Sequence, residues 1–245
     1  MLIKNAKVFN IGALFAITFI GVLIAIFSPF FQGKNGLEFA DDSFNKLAKG
    51  SSYFIPKVAK SNEQFMGKPF SVSIRTDKPE DRPGDAEKRA ANIAKVFTTA
   101  GAKVDISGST LKIEGDLGQV LASALQDADA MFRNEGEKIK TRYGADDEKK
   151  MFRQWHNALS RINKEFDKEK KISESKMVNA VVKKAIEPAY NFYQIDANKV
   201  SDHAGMLSGL LVFYVFYTMW WGYAIFYMFE GFGLTMKKAK VKREA

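Results

Sequence analysis

Apolar side chains form two unbroken runs at opposite ends of the chain, Val8 to Phe31 and Ala204 to Phe229, with a long charged segment between them. A helix rises about 1.5 Å per residue, so each run exceeds the roughly 20 residues that cross about 30 Å of hydrocarbon. The pattern predicts transmembrane helices over 8–31 and 204–234, short ends at 1–7 and 235–245, and a polar domain over 32–203. The first run reads as a retained anchor. It is longer than the roughly 7–15 apolar residues of a signal-peptide core, and Pro29 would stand just after any cut near Ser28.

Inside the polar domain the periodicity changes. Ser43 to Lys49 reads as a short capped helix ended by Gly50, with Pro56 limiting its continuation. Phe70, Val72 and Ile74 alternate with polar residues, as in a half-buried strand. Ala90, Ile93, Ala94 and Phe97 share one face of a helix over 86–100 that closes at Gly101. Val104 and Ile106, the turn Gly108-Ser109, then Leu111 and Ile113 make a β-hairpin. Leu121, Ala124, Leu125, Ala128 and Phe132 belong to a further helix that stops near Gly136. The result is a two-layer βαββα unit over 70–136, in which strand, crossover helix and strand imply a right-handed parallel pair.

The rest of the domain repeats at helical spacing. Phe152, Trp155, Leu159, Ile162 and Phe166 predict a long amphipathic helix from Asp146 to about Lys170. Met177, Val178, Val181, Val182, Ala185 and Ile186 predict a second, ending before Pro188. The two form a long helical hairpin over 146–187, with Trp155 in its core. Ser201 or Asp202 is positioned to cap the second membrane helix. The fold class is therefore an α+β membrane protein, two transmembrane helices flanking a domain made of the βαββα unit and the hairpin.

Charge sets the expected orientation. Lys237, Lys238, Lys240, Lys242 and Arg243 crowd the C-terminal tail, whereas Lys199 stands alone at the other end of that helix. Cations near membrane ends stay cytoplasmic. Both termini are then cytoplasmic and residues 32–203 periplasmic, if the membrane is a bacterial inner membrane. The formal net charge of +9 is mostly these flanks, because residues 32–203 hold 30 Lys or Arg against 26 Asp or Glu. Nucleic acid would require a concentrated basic stripe. The tail instead suits anionic lipid headgroups.

Chemistry is sparse. The chain has no cysteine, which removes disulfides, thiolate metal sites and thiol nucleophiles together. It contains no HExxH, GxSxG, P-loop or dinucleotide fingerprint. His156 falls in the amphipathic helix and His203 at the outer membrane boundary, too few for a bis-histidine haem. No catalytic, cofactor or metal residues are assigned, and no enzyme activity is expected.

The second apolar run is unusually aromatic through its middle, where Tyr and Trp polar atoms need partners. Phe213, Tyr217, Trp220, Trp221 and Tyr227 are read as a face packing against other membrane helices, with Gly205 and Gly209 as a GxxxG pair near the outer end. Glu230 is a candidate proton or cation site, although it lies only seven residues before Lys237 and an interfacial ion pair is the simpler reading. The expectation is a non-catalytic accessory subunit of a multi-subunit membrane complex for energy conversion, electron transfer, transport or secretion. The alternative is a stand-alone membrane-anchored sensor or solute-binding protein.

Overall fold

The computed structural model describes residues 3–234, so the basic tail read at 235–245 lies outside the described residues. The described residues form two compact units: residues 3–47 with 198–234, and residues 48–197.

The first unit is built on two long apolar helices. Helix α1 (Ala6–Phe27) starts at Asn5, whose side-chain oxygen accepts from the Val8 amide, and ends at Ser28 in extended conformation. The end falls earlier than residue 31 because Pro29 disfavours a helical residue before it. A tight turn follows, in which Phe31 and Lys34 exchange backbone hydrogen bonds at 3.0 Å. Helix α2 (Gly36–Ser51) then begins well before Ser43. The cause is a reciprocal cap: the Glu38 amide donates to Asn35 Oδ1 at 2.9 Å, and the Asn35 amide to Glu38 Oε2 at 3.2 Å. The last long helix, labelled α10 below, spans Ala204–Gly231 and stops by a Schellman closure through Gly233 (φ +80°). Neither Ser201 nor Asp202 caps it; both lie in a 3-10 turn over Val200–His203, where the Ser201 hydroxyl donates to Asp202.

The second unit is α+β. Pro56 opens helix α3 (Ile55–Asn62) instead of blocking it, since proline at the first turn has no amide to waste. The sheet comprises β1 (Pro69–Arg75), β2 (Lys103–Ser107) and β3 (Thr110–Asp116) in the order β1-β3-β2, antiparallel throughout. The expected adjacent parallel pair is thus absent. The two-residue turn at Gly108-Ser109 folds β3 directly back on β2, and β1 takes β3's remaining edge, leaving β1 and β2 parallel but separated. Val72, Ile113 and Val104 form one cross-strand row, and Ile74, Leu111 and Ile106 the next. Edge position leaves Ile106 exposed while Leu111 and Ile113 are fully buried.

Helix α4 (Asp85–Thr99) ends in a Schellman closure at Gly101. Helix α5 (Leu117–Phe132) closes the same way, with Asn134 at φ +64°, so Gly136 begins the next helix rather than ending this one. That next element, α6 (Gly136–Tyr143), is not anticipated from sequence; Ile139 and Tyr143, four apart and followed by left-handed Gly144, are the signal for it. Helix α7 (Glu148–Lys168) and helix α8 (Ile172–Val181) make the expected hairpin through a closure at Lys170. Pro188 does not terminate the second arm. A π-turn over Val182–Ile186, in which the Glu187 amide reaches the Val182 carbonyl, carries the chain into α9 (Glu187–Asn191) with Pro188 in its first turn.

The sheet and the hairpin share one core. Phe70 of β1 meets Phe166 of α7 edge-on at 6.3 Å, and Phe97 of α4 packs 5.1 Å from Trp155. Trp155 is therefore buried against the βαββα unit and not only between the hairpin's own arms.

Candidate functional site

The two long apolar helices pack on each other through glycine and aromatic contacts. A Cβ placed on Gly12 would stand 2.6 Å from the Met228 nitrogen and 2.9 Å from the Ala224 carbonyl oxygen; one on Gly231 would stand 2.6 Å from the Phe9 Cβ. Backbone cannot retreat as a flexible side chain can, so only glycine permits this approach. Aromatic rings fill the space between these contacts and beyond them: Phe19 stacks on Tyr217 at 4.1 Å and leans on Trp221 at 4.7 Å, Phe15 meets Tyr227 at 6.0 Å, and Phe9 meets Phe232 at 5.0 Å. The Tyr217 hydroxyl donates to the Phe19 carbonyl at 3.3 Å. At the other end the Lys4 and Asn5 amides donate to the Gly231 carbonyl at 2.9 and 3.0 Å.

These contacts divide the aromatic residues singled out in the sequence. Tyr217, Trp221 and Tyr227 are turned toward α1, with Phe213 stacked on Tyr217 at 5.3 Å. Trp220 is half-buried, and its indole Nε1 is buried without an acceptor among the described residues. Gly205 and Gly209 face open space. Within the chain the close-approach glycines between α1 and α10 are Gly12 and Gly231, a pair on two different helices that no single-helix motif reveals. Phe216, Met219, Tyr223, Phe226 and Phe229 remain exposed on the side of α10 away from α1. Tyr214 and Tyr223 make no hydroxyl hydrogen bond among the described residues. Glu230 is half-buried near the C-terminal end of α10.

At the opposite end of this helix pair lies an apolar cavity of about 460 Å³. Ile26 of α1, Phe31 of the turn, Phe39 and Ala40 of α2, and Leu210 and Phe213 of α10 are among its walls. Ser43 supplies the one polar side chain there, and its hydroxyl already donates to the Phe39 carbonyl at 2.8 Å.

In the second unit most buried polar groups are tied to one another, Asn62 Oδ1 being buried without a partner among the described residues. Asp127, 2% exposed, accepts from Trp155 Nε1 at 2.7 Å and from the Tyr143 hydroxyl on one oxygen, and from Arg142 at 2.6 Å on the other. Burial, reinforced by Asp127, pushes the Tyr143 hydroxyl far above its usual range. Lys49 is equally buried and donates to Asn134 Oδ1 at 2.9 Å and to the carbonyls of Phe192 and Ile195 at 3.0 and 2.5 Å. Desolvation lowers its pKa, with Asp196 opposing. Near the sheet, Arg89 clamps Asp81 and holds its carboxyl down at about 2.

The histidines are peripheral to all of this. His156 faces Glu187 at 3.4 Å beside a cleft of about 270 Å³ that Arg153 and Tyr190 also line. His203 sits against the Lys199 carbonyl at 3.2 Å and Asn198 at 3.4 Å. Among the described residues no cluster of His, Asp and Glu is arranged to hold a metal ion. Among the described residues the geometry offers largely satisfied hydrogen-bond networks and apolar surface.

The spans Ala6–Phe27 and Val200–Gly231 are long and apolar enough to cross a membrane, with mean hydropathy of 2.4 and 1.4 over an 18-residue stretch of each. Compared with protein-family models, with curated proteins and with solved structures, the chain finds no match in any of the three.

Proposed function

We propose that this chain is a two-pass protein of a bacterial inner membrane, with cytoplasmic termini and residues 32–203 in the periplasm, acting as a non-catalytic accessory subunit of a larger membrane complex. Its docking elements are the face of α10 turned away from α1 and the exported domain. Energy-converting, electron-transfer, transport and secretion assemblies are the candidate hosts.

One observation carries the reading. In a helix of membrane length, Tyr214 and Tyr223 lie within about 10 Å of the midpoint at 1.5 Å per residue, and both are exposed with hydroxyls that have no partner among the described residues. Hydrocarbon offers them none. A neighbouring subunit's helix supplies acceptors, each worth roughly 0.6–2 kcal/mol. Phe216, Phe226 and Phe229 on the outward side then pack against that neighbour rather than against lipid.

Extraction in mild detergent followed by native mass measurement tests this. The expected result is co-purification with other membrane proteins at fixed stoichiometry, lost when Tyr223→Phe and Phe226→Ala are combined. A homogeneous, stable monomer would sink the proposal. Protease added to sealed vesicles of known sidedness tests the orientation, since residues 32–203 should be cut only from the periplasmic side.

A further inference from the structure

We propose that the 460 Å³ cavity at the outer end of α1 and α10 is a binding site for one acyl chain of a phospholipid, whose phosphate is held at the rim by Lys34. The inference rests on the membrane placement proposed above, which sets this end of the helix pair at the bilayer surface.

Three features select an alkyl occupant. The volume lies within the roughly 300–1,000 Å³ of ordinary ligand sites. An apolar cavity of about 150 Å³ holds one benzene-sized ring, so one inserted partner side chain would leave most of this space empty. A whole helix, about 10–12 Å across, does not enter it. A flexible hydrocarbon chain does.

The walls make the same choice. Ser43 is the one polar side chain among them and its hydroxyl is already committed to Phe39, so nothing along the cavity asks for a hydrogen bond. A quinone ring or a peptide would carry polar atoms with no partner there. The rim differs. Lys34 lies in the turn between Phe31 and Gly36, both of which line the cavity, and it pairs with Asp42 while remaining half exposed. A cation beside an anion at the mouth of an apolar slot complements a zwitterionic headgroup, phosphate on Lys34 and amine on Asp42.

The test uses the full chain reconstituted with phosphatidylethanolamine and phosphatidylglycerol, stripped with excess detergent, and weighed by native mass spectrometry. Wild type should retain one phospholipid. Ala40→Trp and Ala25→Phe fill the cavity from two different helices and should each lower occupancy at least tenfold at unchanged helical content. Lys34→Ala should lower it about fivefold. Equal occupancy in either correctly folded filling variant, or retention of a free fatty acid or an isoprenoid in place of phospholipid, would overturn the proposal. Alkaline carbonate separates this failure from that of the membrane placement: wild type that resists the wash yet carries no phospholipid defeats the lipid site alone, whereas wild type that washes off defeats both.

Discussion

Replacing Asp127 by alanine should be among the most damaging single changes in the second unit, and the structure lets the cost be apportioned. The carboxylate is 2% exposed and takes three donors. Tyr143 and Trp155, the two largest fully buried polar-tipped side chains, would lose their acceptor with no route to water. Each orphaned neutral donor costs about 1–3 kcal/mol. Arg142 also loses its partner, but its side chain is 25% exposed and can turn outward, so its share is small. The sum is about 4 kcal/mol, in line with the roughly 3–5 kcal/mol for breaking a buried ion pair. Asp127→Asn should cost only about half as much, because Tyr143 and Trp155 share one oxygen and the amide can keep an oxygen there, facing its NH₂ toward Arg142.

Hydrogen exchange measured by mass spectrometry on the full chain in detergent reads this out locally. Amides of α5 and α7 should lose about 10³-fold protection in Asp127→Ala and about 30-fold in Asp127→Asn, since about 1.4 kcal/mol is a factor of ten. Protection within tenfold of wild type in the alanine variant would refute the reasoning. So would an asparagine variant as damaged as the alanine one.

Three further outcomes are expected. Arg89 lowers the Asp81 carboxyl from 3.8 to about 2, so the clamp's stabilisation is complete above pH 3.8 and is lost as pH falls through about 2. An NMR titration of Asp81 should show a midpoint near 2 that Arg89→Gln returns toward 3.8; a wild-type midpoint at 3.8 would exclude the clamp. Gly12→Val should abolish oxidative crosslinking between cysteines placed by Phe9→Cys and Phe232→Cys, a clean readout in a chain without cysteine, while Gly205→Val, with open space around it, should leave the crosslink intact. Lys49→Met removes three buried hydrogen bonds but orphans no acceptor, since the Ile195 amide still donates to the Phe192 carbonyl, Asn134 Nδ2 to the Ile195 carbonyl and the Gln194 amide to Asn134 Oδ1; with the buried ammonium also gone, urea unfolding should shift by no more than about 1 kcal/mol, and a loss above about 3 kcal/mol would contradict that accounting.

Much of the architecture was legible because hydrophobic spacing reports which face of each element is buried. The two long apolar helices, the strand at Phe70–Ile74, the Gly108-Ser109 hairpin and the Trp155 helix all follow from spacing of 1.0, 2.0 or 3.6, and the structure contains each of them. Boundaries were less legible. Asn35 and Glu38 cap α2 by a reciprocal bond that spacing does not weigh, so a helix expected at Ser43 begins at Gly36. The π-turn before Pro188 similarly lets a helix pass a residue that usually ends one.

The sequence by itself determined where the chain turns apolar, where it alternates, and that it lacks cysteine chemistry, because these depend on residues near one another in the chain. Tertiary structure alone decided the strand order β1-β3-β2, the shared core of Phe97 with Trp155, and the convergence of Tyr143, Trp155 and Arg142 on Asp127. It also decided that Gly12 and Gly231, more than two hundred residues apart, are the contact glycines, while the adjacent pair Gly205 and Gly209 touches nothing within the chain. Local spacing sets the orientation of a side chain about its own helix or strand; which distant surface that side chain then meets depends on how the elements pack, and no short-range pattern encodes that.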